Sequence, residues 1–219
     1  MHRTLTDVRQ QDMLDHVRLT AYMAELAEWD NRAHLERIRR YTYILAREKG
    51  LQHGEAELIA TASMLHDVGK ITLPPSLLQK TSRLEPAEYK IAERHTVEGG
   101  HLLSGSGSAV LQAAEIIART HHERWDGTGY PEGLRGDATP VSGRIAGLAD
   151  VFDALTTKRT YKTAIPPEAA LDLIRSASGR LFDPDLVSIF VGQFEDFSAV
   201  LQMVESGVRG GRKVAFPAG

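Results

Sequence analysis

Apolar residues return every three or four positions along most of the chain, the spacing of helices that bury one face. Leu5, Val8, Met13, Val17, Leu19 and Leu26 alternate with charges in this way, predicting an amphipathic helix over 5–29. A second helix is expected over 31–48, stopped by Gly50, and a third from Glu55 to His66. Pro74, Pro75 and Pro86 frame a short helix and a further helix start. The pattern then predicts helices over 87–103 and 108–122, separated by the serine–glycine stretch at 104–108. Residues 124–140 carry glycines and prolines and read as a long irregular segment, which Trp125, Tyr130 and Leu134 should keep ordered. Helices resume over 141–157, 167–178 and 184–204. No stretch alternates at strand period, and no repeat or linker divides the chain. The expected fold is all-α, one compact multi-helix domain over 30–206, with a connector helix at 1–29 and a flexible tail at 207–219.

At 219 residues and 42% hydrophobic content, such a domain buries enough surface to fold without a disulfide or structural metal. A metal site would therefore serve function. The net charge of −3 argues against a polymeric nucleic-acid partner, which demands a basic surface. The absence of cysteine removes thiolate zinc sites, iron–sulfur clusters and thiol catalysis. The polar N-terminus is no signal peptide, and no apolar run is long enough to span a membrane. The expected location is cytoplasmic.

Ionisable residues fall on the apolar helix faces. Asp30 and His34 lie four apart, with Ile38 at the next step; His66 follows Ile59 and Ala62; His95 follows Ile91. His121 and His122 end an apolar helix, and Asp150 lies among Ala146 and Ala154. One inward histidine is most often a satisfied core group. Five inward histidines with three inward carboxylates, Asp67 beside His66 among them, need partners or a cation to offset their desolvation. Together they make best sense around two or three metal ions. Imidazole and carboxylate ligands without sulfur fit iron or manganese, with zinc or nickel as alternatives.

The motifs, taken in order, resemble the HD-GYP subgroup of the HD phosphohydrolases. MLHDVGKITLPPSLLQK resembles its HD segment, AERHTVEGGHLL its next ligand helix, and HHERWDGTGYPEGLRG its signature. RIAGLADVFDALTTKRTYK and FDPDLVSIF resemble its closing blocks. The resemblance implies hydrolysis of cyclic di-GMP to pGpG or GMP by a hydroxide held between metal ions. It implies His66, Asp67, His95, His121, His122 and Asp150 as ligands, with Asp67 bridging, and aligns His34 with a further one. Asp30 stands where members with three ions carry glutamate, so two or three divalent ions are expected. Lys70, Arg159 and Lys162 would meet substrate phosphates, with Asp67 and Lys70 closest to the chemistry. In the Gly129–Tyr130–Pro131 loop, Gly127 and Gly129 would allow unusual backbone angles, and Tyr130 would stand beside the site or face a partner. Trp125 is expected to pack rather than bind a base. The expectation extends to a diguanylate cyclase docking at this loop and a homodimer contact through the first helix. With no sensor domain ahead of it, control would come from expression, metal supply or a partner. The alternatives are another HD-type nucleotide or cyclic GMP-AMP phosphohydrolase, or a non-catalytic cyclic di-GMP receptor or docking module.

Overall fold

The computed structural model describes residues 5–24, 31–158 and 163–210. Asp30, Arg159 and Lys162, with the tail from 211, lie outside the described residues. The helices are α1 (Leu5–Ala24), α2 (Asn31–Glu48), α3 (His53–Ser63), α4 (Pro75–Leu78), α5 (Pro86–Glu93) and α6 (His95–Leu103), followed by α7 (Ala109–Thr120), α8 (Val141–Thr156), α9 (Pro167–Ser176), α10 (Pro184–Gly192) and α11 (Phe194–Gly210). Short 3₁₀ turns occupy Val68–Thr72 and Gly136–Ala138. The described residues contain no strand, only the isolated bridges Asp126–Arg135 and Ser178–Phe182. The all-α expectation holds. No helix among the described residues is long and apolar enough to cross a membrane.

Three elements depart most from their expected bounds. The run expected over 87–103 is two helices, because Arg94 N–H turns back to Ile91 O at 3.2 Å and α6 begins afresh at His95. The run over 184–204 divides at Gln193, whose N–H bonds Ile189 and Phe190 carbonyls, and α11 continues to Gly210. The third helix ends at Ser63, and the chain tightens into i to i−3 turns, including His66 N–H to Ser63 O at 3.2 Å and Lys70 N–H to Asp67 O at 2.9 Å.

Two apolar clusters fill the interior. One gathers Tyr41, Phe152, Phe190 and Phe197 with Leu45, Leu148 and Leu186, joining α2, α8, α9, α10 and α11. The other gathers Val17, Leu35, Ile59, Leu65, Ile117 and Ala146, joining α1, α2, α3, α7 and α8. Helices α2 and α8 thus face both clusters and carry polar residues into the seam between them.

Helix α8 sits unusually close to the end of α7. A Cβ at Gly147 would strike the carbonyl oxygen of His121 and lie 3.4 Å from its carbonyl carbon. Gly147→Ala is therefore expected to destabilise the protein by about 1–3 kcal/mol through overpacking. Gly54→Ala, with open space around it, should be neutral or stabilising. Thermal unfolding of the two variants side by side checks the pair.

Candidate metal centre

The HD dipeptide lies where the chain leaves α3 for the 3₁₀ turn. A 3₁₀ turn stacks residue i over i+3, so Lys70 returns over Asp67, its Nζ 2.7 Å from Oδ2. His95 enters from the break before α6, His121 and His122 from the end of α7, His34 from α2 and Asp150 from α8. All are buried or half-buried.

The residues fall into two groups. Asp67, His95, His121 and His122 each place one ligand atom within 4.8 Å of the others; His34, His66 and Asp150 do the same. Asp67 joins them. Its Oδ2 is 3.2 Å from His66 Nε2, while its Oδ1 is 3.2 Å from His95 Nε2 and 3.7 Å from His121 Nε2. His66 Nε2 also approaches Asp150 Oδ1 at 3.9 Å.

Backbone and side-chain acceptors fix the imidazoles. His66 Nδ1 lies 2.9 Å from Ser63 O, His95 Nδ1 2.6 Å from Ala92 O, and His121 Nδ1 3.0 Å from Ile117 O. His34 Nδ1 lies 2.7 Å from Asp153 Oδ2. An acceptor at Nδ1 keeps the proton there and turns the Nε2 lone pair toward the centre. Asp67 Oδ1 is buried and has no hydrogen-bond partner. A carboxylate oxygen facing two imidazole lone pairs at this range is repelled by them unless a cation lies between. The donor set, all nitrogen and oxygen, fits divalent metal ions.

Burial opposes ionisation of Asp67, yet the Lys70 ammonium, and after it the His66 ring, holds its carboxyl well below the ordinary aspartate range. Burial lowers the His121 imidazole, and burial with the neighbouring His121 and His95 lowers His122 further. Both stay neutral, as ligation requires. Because their folded values lie below the unfolded one, stability rises with pH around the ordinary histidine value. Metal-stripped protein is therefore expected to melt at lower temperature as pH falls below about 6.5. Scanning unfolding in chelator between about pH 7.5 and 5.5 checks this, and a level midpoint would contradict it.

Two residues of the centre escaped the sequence reading. Asp153, fully buried on α8, accepts from His34 and grips Arg37 of α2, with Oδ1 2.5 Å from Nε and Oδ2 3.2 Å from Nη2. Burial opposes its charge, but His34 and Arg37 bring its carboxyl down to about 2. The available signal was spacing: Arg37 and Asp153 each stand three residues beyond a residue already singled out, His34 and Asp150.

The 124–140 segment is ordered, as expected. The Glu123 carboxylate accepts Glu132 N–H at 2.7 Å and Leu134 N–H at 3.0 Å, and Trp125 N–H bonds Leu181 O. The Tyr130–Pro131 bond is cis. Gly127 has φ 80°, as expected. Gly129 is needed for a different reason: a Cβ there would sit 2.6 Å from Glu123 Cα and His122 O. The loop lays the Tyr130 ring against His122, centroids 4.8 Å apart and planes 28° apart. The Arg144 guanidinium lies over the Trp125 ring, 5.4 Å from the ring centroid.

A helical fold with two histidine–aspartate groups sharing one carboxylate defines a metal-binding helical domain. Residues 13–186 match the HD domain family, and the chain belongs to it. The chain is 43% identical over 168 residues to a 3'3'-cGAMP-specific phosphodiesterase of Vibrio cholerae, covering 77% of this chain and 32% of that protein. It is 41% identical over 169 residues to a cyclic di-GMP phosphodiesterase of Thermotoga maritima, covering 77% and 46%. An HDGYP protein from Bdellovibrio bacteriovorus has the same fold, with TM-score 0.58 at 20% identity over 77% of this chain and 51% of that one. The chain thus spans under half the length of these two curated relatives.

Proposed function

We propose that this domain is a metal-dependent phosphodiesterase that hydrolyses cyclic di-GMP to pGpG or GMP in the cytoplasm. The observation that carries the reading is the Asp67 carboxylate, shared between two imidazole groups with Lys70 stacked on it. His34, His66 and Asp150 would hold one divalent ion and His95, His121 and His122 a second, with Asp67 common to both. Iron or manganese suits the donors, and Asp30 is the candidate for a third site. Such ions, when bound, polarise a phosphoryl oxygen and lower the pKa of water to near neutrality.

The chain's own groups supply the rest. Lys70 is half-buried beside Asp67, so its ammonium can turn to a phosphate oxygen as charge develops there. Arg159 and Lys162 would hold the second phosphate. Tyr130, packed on His122, keeps that imidazole from swinging outward. Pro131 and Glu132 are exposed at the loop, where a diguanylate cyclase would dock. A homodimer contact would use α1, where Leu19 and Met23 are exposed.

Cyclic GMP-AMP is the second reading, favoured by the specificity named for the Vibrio cholerae relative. Metal analysis by mass spectrometry on anaerobically purified protein, with both dinucleotides assayed on that sample and products separated by chromatography, tests the proposal. Two or three ions with conversion of cyclic di-GMP support it. Preference for cyclic GMP-AMP selects the second reading, and full activity in chelator overturns both.

A further inference from the structure

Helix α5 buries none of its residues, yet its Tyr89 stands beside Tyr130 and lines one cleft with His121 and His122. Tyr89 shares that open cleft, of about 170 Å³, with Tyr130 as well. Its ring stands 6.3 Å from that of Tyr130, the planes 79° apart, while Tyr130 itself is stacked on His122. The outermost ring of this aromatic series is 47% exposed. An exposed tyrosine on a helix with no core contribution is not held there by packing. A ligand that reached His122 from this cleft would pass the Tyr89 ring.

We infer that Tyr89 is a stacking platform for a nucleobase of the substrate, deepening the proposed phosphodiesterase reading and resting on it. A nucleotide whose phosphate lies among the imidazoles carries its base a sugar's width away, in the direction of the cleft mouth. Every base has a π-face, so a tyrosine there supplies affinity for nucleotides over base-free phosphoesters. The contribution is to binding, with no role in proton transfer.

Binding of GMP and of ribose 5-phosphate to the metal-loaded protein, measured by calorimetry, separates stacking from structural support. Tyr89→Ala is expected to weaken GMP by about tenfold or more while leaving ribose 5-phosphate unchanged. Tyr89→Phe should retain GMP affinity, since stacking uses the ring and not the hydroxyl. Equal weakening of both ligands, or no change in either, would overturn the proposal. Wild-type protein that binds neither GMP nor cyclic dinucleotide would overturn the functional reading and this proposal together. Unaltered GMP affinity in Tyr89→Ala against a binding wild type removes Tyr89 alone.

Discussion

Asp67→Asn is expected to lower cyclic di-GMP turnover by on the order of a thousandfold, the upper range for removing one electrostatic group from an active site. Asparagine keeps the volume and one carbonyl oxygen but loses the charge that would offset the two proposed cations. It also introduces an NH₂ into a space where Oδ1 faces His95 and His121 Nε2 at 3.2 and 3.7 Å. That amide can donate to the imidazole lone pairs, the atoms that would otherwise bind metal. Two outcomes follow for stability. The metal-free variant should melt below metal-free wild type, because the attraction that holds the Asp67 carboxyl ionised beside Lys70 is lost. Added metal should raise the melting temperature of wild type, as any ligand of the folded state does, and leave the variant nearly unmoved. Metal content, turnover and the melting shift on one preparation check all three. A variant that keeps both ions would remove Asp67 from its shared position.

The reason so much of this centre could be read from the sequence is that helical period reports which way a residue points. His66, His95, His121, His122 and Asp150 each follow an apolar residue by four, His34 precedes Ile38 by four, and the structure brings them together. Helix ends were harder. The divisions at Arg94 and Gln193 are local changes of backbone hydrogen bonding that leave the apolar pattern almost unchanged. The stacking of Lys70 over Asp67 likewise depends on a 3₁₀ turn, which periodicity at 3.6 cannot distinguish from another helical turn. Arg37 and Asp153 were missed because each looks like an isolated charge on its own helix. Their meaning lies in the pairing between α2 and α8, 116 residues apart in sequence. Gly129 was noticed for backbone freedom, whereas the fold requires it for lack of room, a property of the neighbouring chain segment.

Asp153→Ala should be the most destabilising single change in the centre, by about 3–5 kcal/mol. Arg37 is 1% exposed, and its guanidinium would stay buried with its main counter-charge removed. The pair is a poor source of net stability all the same, since burial takes back much of what the attraction supplies. Replacing both partners by apolar residues, as in Arg37→Met with Asp153→Leu, should therefore restore most of the lost stability. It should not restore the site. Without Asp153 Oδ2 at its Nδ1, His34 loses the acceptor that fixes its tautomer and ring orientation. Metal affinity of the His34–His66–Asp150 group should then drop about 10–100-fold. The acid limb gives an independent reading. The Asp153 carboxyl, at about 2 when folded, lies below its unfolded value. Its contribution is therefore complete above about pH 4 and lost as pH falls toward 2, a slope that the double variant should lack. Chemical denaturation across that range, with metal titration near neutrality, separates the two roles. A double variant that stays unstable would place the burden on Arg37 packing, and one that binds metal normally would show that His34 is held by other contacts.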